Sequence, residues 1–370
     1  MFKFVISRIT DMCCRKPTLS YRENYLRSVE FEYPEYIPCR VLITWPIWNT
    51  YREKLERIAI KYPLLFPNFE PRAIQYGDKI GVLRVNRLIK DPFGCIWRFN
   101  IEGYQGQVVK HPLENWEDFK SYKFPNPEEG LPSEGSDKLT PWNTVFENLE
   151  KLKAENKLVQ VSLMHGFFFQ RLYYLRGFTN LMKDFIVRPP QIYDLIEELT
   201  EYILDLVNNL LKFGKIDIIY FGDDLGTQTR MPISPSIFRE FIYPSYRKIF
   251  QRIRETGTHV YFHSDGHIVE VMDQLINAGA SVLNIQDRVN GLENIKFLCK
   301  GKVCVDVDVD RQYLVPFGRP EEIKEHIRLI VEELAMRKGG LMIEAEVHPP
   351  TSLRNIKAII EAMEQYMWFS

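Results

Sequence analysis

The chain has 370 residues, of which 45% are hydrophobic and 26% are charged, and this length supports either one large α/β barrel or two smaller domains. A formal net charge of −1 excludes the basic surface that nucleic-acid backbones require, and no run of about 18 apolar residues predicts a membrane span. Six cysteines without CxxC spacing indicate reduced thiols, so we expect a cytoplasmic protein.

The N-terminal part of the chain contains the first predicted barrel strand. Residues 1–20 carry mixed signals, and we expect them to be an N-terminal extension to a single domain that covers 21–370. Within that domain, a compact apolar run at 39–44 is bounded by prolines, which is typical of a buried strand. Helical periodicity flanks this strand at 21–32 and at 50–60.

The next segment is predicted to elaborate the barrel. Residues 79–109 show β-type sequence interrupted by turn formers, which indicates a short antiparallel elaboration. Turn-forming residues dominate 122–141, so we interpret 91–140 as an insertion or lid. One further barrel strand is expected somewhere in 72–88.

From residue 158 onward, apolar strand candidates alternate with helical stretches. The predicted strands are 158–164, 216–222, 258–263, 281–286, 302–308 and 341–347. The predicted helices are 168–184, 189–213, 235–256, 267–278, 291–299, 319–338 and 352–367. This alternation predicts a parallel sheet, and eight strands in total predict a (β/α)8 TIM barrel with N-terminal β-hairpin and helical elaborations. No GxGxxG or GxxxxGKS loop follows a strand, which excludes Rossmann and P-loop nucleotide sites.

Polar side chains end most of the predicted strands, and in a barrel these ends form one rim. They are His165, Asp223, Asp224, His263, Asp265, Asn284, Gln286, Asp306, Asp308, Asp310, Glu344, Glu346 and His348. So many carboxylates in one mouth require a metal, a cationic substrate or shared protons to offset their charge. The structural alternative is that they pair with Arg230, Arg311 or Lys302.

A metal site is one chemical interpretation of this rim. His263 and Asp265 share one face of their strand, and the same alternation puts Glu344, Glu346 and His348 on one face of the last strand. These five residues are the predicted ligands of one divalent ion, because imidazole nitrogen and carboxylate oxygen suit such ions. The alternative for the first two is a strand-end histidine and a helix cap.

Catalysis is assigned to the acids and the histidine at the strand ends. Two adjacent carboxylates after Gly222 cannot point the same way, so one should cap the following turn while the other faces the cavity. We expect Asp224 to face the cavity, with Asp223 nearly as good a candidate. The predicted catalytic residues are Asp224, Asp223, His263 and Asp308.

Substrate contacts are predicted from the segment that begins at His165. Its bulky aromatic residues could line an apolar pocket or belong to the core, and Arg176 could meet an anionic group. The predicted substrate-binding residues are His165, Phe169, Arg176, Gln228 and Gln286.

Several linked segments of 20–368 together resemble the uroporphyrinogen decarboxylase superfamily. They are His111-Pro-Leu, Tyr122-Lys-Phe-Pro, Leu175-Arg-Gly, Gly222-Asp-Asp-Leu-Gly-Thr-Gln228, Ile233 to Pro244, His263-Ser-Asp-Gly266, Leu283-Asn-Ile-Gln286 and Gly339-Gly-Leu-Met. The resemblance implies a (β/α)8 barrel with its site at the C-terminal mouth. It implies either porphyrinogen decarboxylation or corrinoid-dependent methyl transfer.

Two departures from the superfamily pattern favour methyl transfer. Where decarboxylases carry an Arg-Gln-Ala-Gly-Arg segment that binds tetrapyrrole carboxylates, this chain has Thr44-Trp-Pro-Ile-Trp48, and an acidic rim suits such a substrate poorly. The zinc methyltransferases carry His-x-Cys where this chain has His263-Ser-Asp265. Without thiolates, a zinc site of nitrogen and oxygen ligands suits the polarisation of an oxygen or nitrogen leaving group.

The resulting hypothesis is a zinc-assisted methyltransferase that moves a methyl group from a small methylated substrate to a corrinoid on a separate protein. One alternative is a metal-free lyase of a carboxylated substrate, with Arg176 or Arg230 binding the acid and an aspartate transferring the proton. Another is a barrel that binds a ligand without chemistry. The oligomeric state is left open between monomer and homodimer.

Overall fold

The computed structural model describes residues 16–74, 76, 87–101, 106–133 and 136–369. These form two compact units. The terminal unit combines the chain up to residue 75 with the chain from Val307 onward, and the central unit runs from Tyr76 to Asp306.

Twelve strands occur in the described residues. They are β1 (Cys39–Ile43), β2 (Leu88–Lys90), β3 (Ile96–Arg98), β4 (Gln107–Lys110), β5 (Leu131–Pro132), β6 (Leu139–Thr140), β7 (Gln160–Ser162), β8 (Ile218–Gly222), β9 (His259–Ser264), β10 (Val282–Gln286), β11 (Cys304–Asp308) and β12 (Leu341–Val347).

The α-helices of the same residues lie mainly between these strands. They are α1 (Tyr21–Glu30), α2 (Trp45–Tyr51), α3 (Glu53–Lys61), α4 (Trp142–Ala154), α5 (Phe169–Arg176), α6 (Phe178–Val187), α7 (Pro190–Leu211), α8 (Pro235–Ile237), α9 (Tyr243–Arg254), α10 (Met272–Ala278), α11 (Asp287–Asn290), α12 (Leu292–Cys299), α13 (Leu314–Phe317), α14 (Pro320–Leu334) and α15 (Leu353–Tyr366). A π-helical turn, Phe238–Ile242, joins α8 to α9.

The main sheet has seven strands in the order β1-β12-β11-β10-β9-β8-β7. Strands that follow one another in the chain are therefore neighbours, with helices in the connections, which is the arrangement of a (β/α)8 barrel. The predicted fold class is confirmed. The eighth predicted strand, in 72–88, falls mainly on residues 75 and 77–86, which lie outside the described residues.

The register of the central unit aligns three strand positions that matter for the site. His263 in β9 lies opposite Gly222 in β8 and opposite Asn284 in β10, and all of these strand pairs are parallel. Behind the sheet, aromatic rings fill the core between β9 and α9; Phe262, for example, lies 5.5 Å from Tyr246 and 6.0 Å from Phe250 between ring centroids. This packing fixes β9 from behind.

Several predicted helices are divided in the structure. The helix expected at 168–184 is two helices, α5 and α6, because Gly177 between them has φ +79°, a conformation that glycine adopts at little cost. The helix expected at 50–60 is likewise divided between α2 and α3 at Arg52, which has φ +43°. Helix α4 was not predicted, although its buried Val145 and Leu149 stand four residues apart.

The segment expected to elaborate the barrel does so. Strands β2, β3 and β4 form an antiparallel sheet, and β5 pairs with β6 as a second small antiparallel sheet within 91–140. Whether 91–140 acts as a lid stays a prediction. None of the four cysteines in the described residues forms a disulfide. Over those residues, no helix has the length and apolar character of a membrane span.

Candidate functional site

Three polar side chains meet at the carboxyl ends of β7, β8 and β9 in the central unit. His165, Asp224 and His263 each offer one nitrogen or oxygen atom, and these atoms lie within 4.8 Å of one another. All three side chains are partly exposed, so the cluster can be reached from outside. It is the candidate site, and it contains three of the residues that the sequence singles out.

His165 contacts Asp224 directly. Its Nε2 lies 3.1 Å from Asp224 Oδ2. The imidazole fits because residue 222 is glycine: a Cβ there would lie 2.3 Å from His165 Nδ1. Gly222 is therefore required by the position of the imidazole.

His263 faces two carboxylates with one nitrogen and an amide with the other. Its Nε2 lies 3.7 Å from Asp224 Oδ1 and 3.4 Å from Asp265 Oδ1, whereas its Nδ1 lies 2.5 Å from Asn284 Oδ1. Burial alone would lower the pKa of this imidazole, but the Asp265 and Asp224 carboxylates and the Asn284 hydrogen bond raise it to about 10. Without a metal, His263 is therefore an imidazolium at neutral pH.

Asp224 is held as a carboxylate by its surroundings. Its Oδ1 accepts from the Asp265 backbone N–H at 3.0 Å, and its Oδ2 accepts from Gln170 Nε2 at 3.3 Å. Burial acts to raise the pKa of Asp224, but the His165 hydrogen bond and the charges of His165 and His263 outweigh it and hold the pKa well below its usual range.

The neighbouring acid, Asp223, has the other orientation. It is fully buried and accepts hydrogen bonds from the backbone N–H groups of Phe169 (2.6 Å) and Gln170 (2.8 Å) and from the Tyr246 hydroxyl (2.5 Å). Asp223 therefore caps the first turn of α5. The two acids diverge as expected, but the capped turn is that of α5, which precedes β8 in the chain, and not the turn that follows β8. The catalytic role of either acid stays a prediction.

Two buried amides support the cluster: sequence reasoning listed Asn284 at the rim without a role, and it did not single out Gln170. Gln170 accepts from the Asp224 backbone N–H through Oε1 (3.0 Å) and donates to Asp224 Oδ2 through Nε2. Asn284 contacts His263. An amide within the apolar run of β10 was the available signal for Asn284, whereas nothing in the sequence connects Gln170 to a residue 54 positions later.

The predicted substrate-binding residues differ in their burial. Phe169 and Gln286 are buried, and Gln286 Oε1 accepts from the Gly266 backbone N–H at 3.0 Å. Gln228 is exposed in the loop after β8. Of this predicted set, the cluster itself contains His165.

The structure places Arg176 in a buried network of contacts, and its binding of a substrate stays a prediction. Its side chain is buried, ion-paired with Asp184 at 2.8 Å and hydrogen-bonded to the backbone carbonyls of Leu113 and Glu114, and its guanidinium stacks on the Trp116 ring at 3.9 Å. These contacts connect α5 and α6 to the segment before them and give the guanidinium a structural role.

Asp308 of β11 and the acids of β12 are paired within the terminal unit. Glu344 forms an ion pair with Arg40, and Arg311 pairs with both Glu346 and Asp308, the latter at 3.4 Å. His348 Nε2 lies 3.2 Å from Glu346 Oε2. The structural alternative gives the observed partner, Arg311, for Glu346 and Asp308, whereas Glu344 pairs with Arg40, which it did not name. Their predicted sharing of a metal with His263 and Asp265, and the catalytic role of Asp308, stay predictions.

A parallel barrel sheet with titratable side chains at the carboxyl ends of its strands defines a class of protein whose members carry their sites there. The sequence model of the family described as Uroporphyrinogen decarboxylase (URO-D) matches residues 87–366. The chain belongs to this family.

Two relatives carry different activities in their names. Uroporphyrinogen decarboxylase from Geobacter sulfurreducens is 20% identical over 344 residues, which cover 90% of this chain and 91% of that protein. The structure of a methyltransferase from Methanosarcina mazei covers 94% of this chain and 99% of its own, with a TM-score of 0.63 at 14% identity. At that identity the second likeness speaks for the fold alone. Both names are those of enzymes.

Proposed function

We propose that this protein is a metal-assisted methyltransferase, which takes a methyl group from a small methylated compound and passes it to a corrinoid carried by a separate protein. The observation that carries the proposal is the cluster of His165, Asp224 and His263, whose ligand atoms lie within 4.8 Å of one another. His263 belongs to the ligand set predicted from sequence, and His165 and Asp224 now join it.

The residues present fit a zinc ion. Two imidazoles and one carboxylate are a ligand set that zinc accepts, and three protein ligands leave a further position for a substrate. When bound, zinc supplies a Lewis acid that makes the departing oxygen or nitrogen of the methylated substrate less basic.

The side chains around the cluster prepare it for a cation. Asp224 stays ionised. The Gln170 side chain fixes its position, because Gln170 accepts a hydrogen bond from the Asp224 backbone N–H and donates one to Asp224 Oδ2. His263 must lose its Nε2 proton before this nitrogen can bind a metal, and the Asp265 carboxylate at 3.4 Å can accept it. The ligands are nitrogen and oxygen, which favours O-methyl or N-methyl compounds as methyl donors.

Metal analysis combined with one histidine variant tests the proposal. We expect about one zinc per chain in wild-type protein and no zinc in His263→Ala, whose melting temperature should match that of wild-type protein stripped of zinc. His267→Ala is the matched control, because His267 pairs with Glu270 at 3.2 Å instead of joining the cluster. Methyl transfer from O-methyl and N-methyl compounds to reduced cobalamin should follow the zinc content. Wild-type protein that binds no zinc after dialysis against zinc would refute the proposal.

A second candidate function, a metal-free carboxy-lyase, is favoured by the protonated state of His263. An imidazolium next to two carboxylates can donate its Nε2 proton to the carbon that keeps the electron pair when a C–C bond to a carboxylate breaks and CO2 leaves. The lyase would release CO2 in the presence of a chelator and incorporate one deuteron from D2O. A chelator that abolishes turnover would exclude it.

A further inference from the structure

We infer that Asn284 is a positioning residue, which fixes His263 with its proton on Nδ1 and so commits Nε2 to the site. The two amide contacts of Asn284 carry this inference. It deepens the proposed function, and its metal-binding part rests on that proposal.

The orientation of the Asn284 amide follows from its two hydrogen-bond partners. Asn284 is 2% exposed, and its Nδ2 donates to the backbone carbonyl of Asp306 at 2.9 Å. A carbonyl oxygen accepts and cannot donate, so the NH2 group must lie on that side. The amide oxygen consequently faces His263 Nδ1 at 2.5 Å.

This orientation determines the tautomer of the imidazole. An amide oxygen also accepts only, so the Nδ1 atom facing it must carry a proton. In a neutral ring the lone pair then lies on Nε2, the nitrogen near Asp224 and Asp265. With Nδ1 as the ligand, a metal would break the Asn284 contact and leave a buried amide oxygen without a partner.

The fold makes this arrangement rigid. Asn284 lies directly opposite His263 in the β9–β10 register, so the contact is between neighbouring parallel strands. Its other partner is a backbone atom of β11, which does not change rotamer. An amide at this position orients the imidazole ring without adding a negative charge, as a carboxylate would. The negative charges beside His263 are therefore those of the carboxylates near Nε2.

Spectroscopy of the histidine rings tests the inference. Long-range ¹H–¹⁵N spectra of wild-type protein should show His263 Nδ1 carrying a proton with and without zinc, with zinc bound through Nε2. The His263→Ala spectrum assigns the signals. Zinc bound through Nδ1, or a His263 Nδ1 without its proton, would overturn the inference. These spectra need no Asn284 variant, so the inference stays testable even if a variant misfolds.

Zinc affinity provides the second measurement. Asn284→Leu keeps the size of the side chain and removes the acceptor, and we expect it to weaken zinc binding roughly 10- to 100-fold, the usual effect of losing such a partner. Asn355→Leu is the control: Asn355 is also buried and donates to the carbonyls of Val315 and Gly318, neither of which is a predicted ligand. Equal zinc affinity in wild type and Asn284→Leu would overturn the inference.

The two proposals fail in different ways. Wild-type protein without zinc binding, but with a hydrogen bond from His263 Nδ1–H that is lost in Asn284→Leu, would refute metal-assisted methyl transfer and support the role of Asn284. Zinc binding through Nδ1 would overturn the role of Asn284 and leave metal-assisted methyl transfer standing.

Discussion

Asp223 and Asp224 are adjacent in sequence and opposite in environment. Burial raises the pKa of Asp223 to about 6, although three donors partly offset the effect. Asp224 has its pKa lowered instead, because two histidines stand beside its carboxylate and outweigh burial. An aspartate thus serves as a buried helix cap at position 223 and as a charged residue of the site at position 224.

This contrast predicts opposite results for two identical substitutions. Asp224→Asn keeps the shape and removes the charge, so turnover should fall roughly 10²-fold or more while stability changes little. Asp223→Asn places an NH2 group against N–H and O–H donors and should cost about 1–3 kcal/mol of unfolding free energy. Turnover on the identified substrate and denaturant unfolding measure the two effects. Wild-type turnover in Asp224→Asn together with a lower unfolding free energy would move the catalytic role to Asp223.

At this scale the sequence predicts which residues matter better than it predicts what they contact. Alternation at a strand end shows that Asp223 and Asp224 diverge, but the choice between them depends on where the first N–H groups of α5 lie. Arg176 shows the limit more clearly: a lone arginine beside aromatic residues suggests an anion site, and its ion pair with Asp184 depends on the break at Gly177.

Among the elements, apolar strands were the most predictable. The run at 341–347 is the strand Leu341–Val347, because a buried parallel strand is a short apolar run with few alternatives. Helix ends were less predictable, since periodicity continues through a break when both helices present apolar residues to the same core. Gly177 is an example: its leucine and phenylalanine neighbours keep the helical pattern, and only its positive φ divides α5 from α6.

The junction of α5 and α6 supplies a prediction at the scale of elements. Arg176→Ala would leave Asp184 as an unpaired buried charge, so we expect a loss of about 3–5 kcal/mol in unfolding free energy. Arg188→Ala, which breaks the exposed pair between Arg188 and Glu240, should cost no more than about 1 kcal/mol. Denaturant unfolding compares the two variants. If Arg176→Ala is as stable as wild type but binds the substrate less tightly, Arg176 is a substrate residue after all.

For the whole molecule, the sequence predicts the fold and the family more firmly than the reaction. Short motifs that lie far apart in the chain, such as Gly222-Asp-Asp and His263-Ser-Asp-Gly, meet at the ends of adjacent strands, which is why together they indicate the family. Under the two proposed functions, the reaction depends on whether His263 Nε2 carries a proton or a metal. One fold supports both chemistries, so family membership leaves this choice to the site.

Metal binding should therefore be visible in the stability of the protein itself. A ligand that binds only the folded state at about 100 times its dissociation constant stabilises that state by about 2.7 kcal/mol. Because zinc would be held by His165, Asp224 and His263, it should raise the melting temperature of the protein by a few degrees, and a chelator should reverse the rise. His267→Ala should respond like wild type. An equal rise in His263→Ala would mean that zinc acts elsewhere, and the metal-free lyase would become the better interpretation of the same histidine.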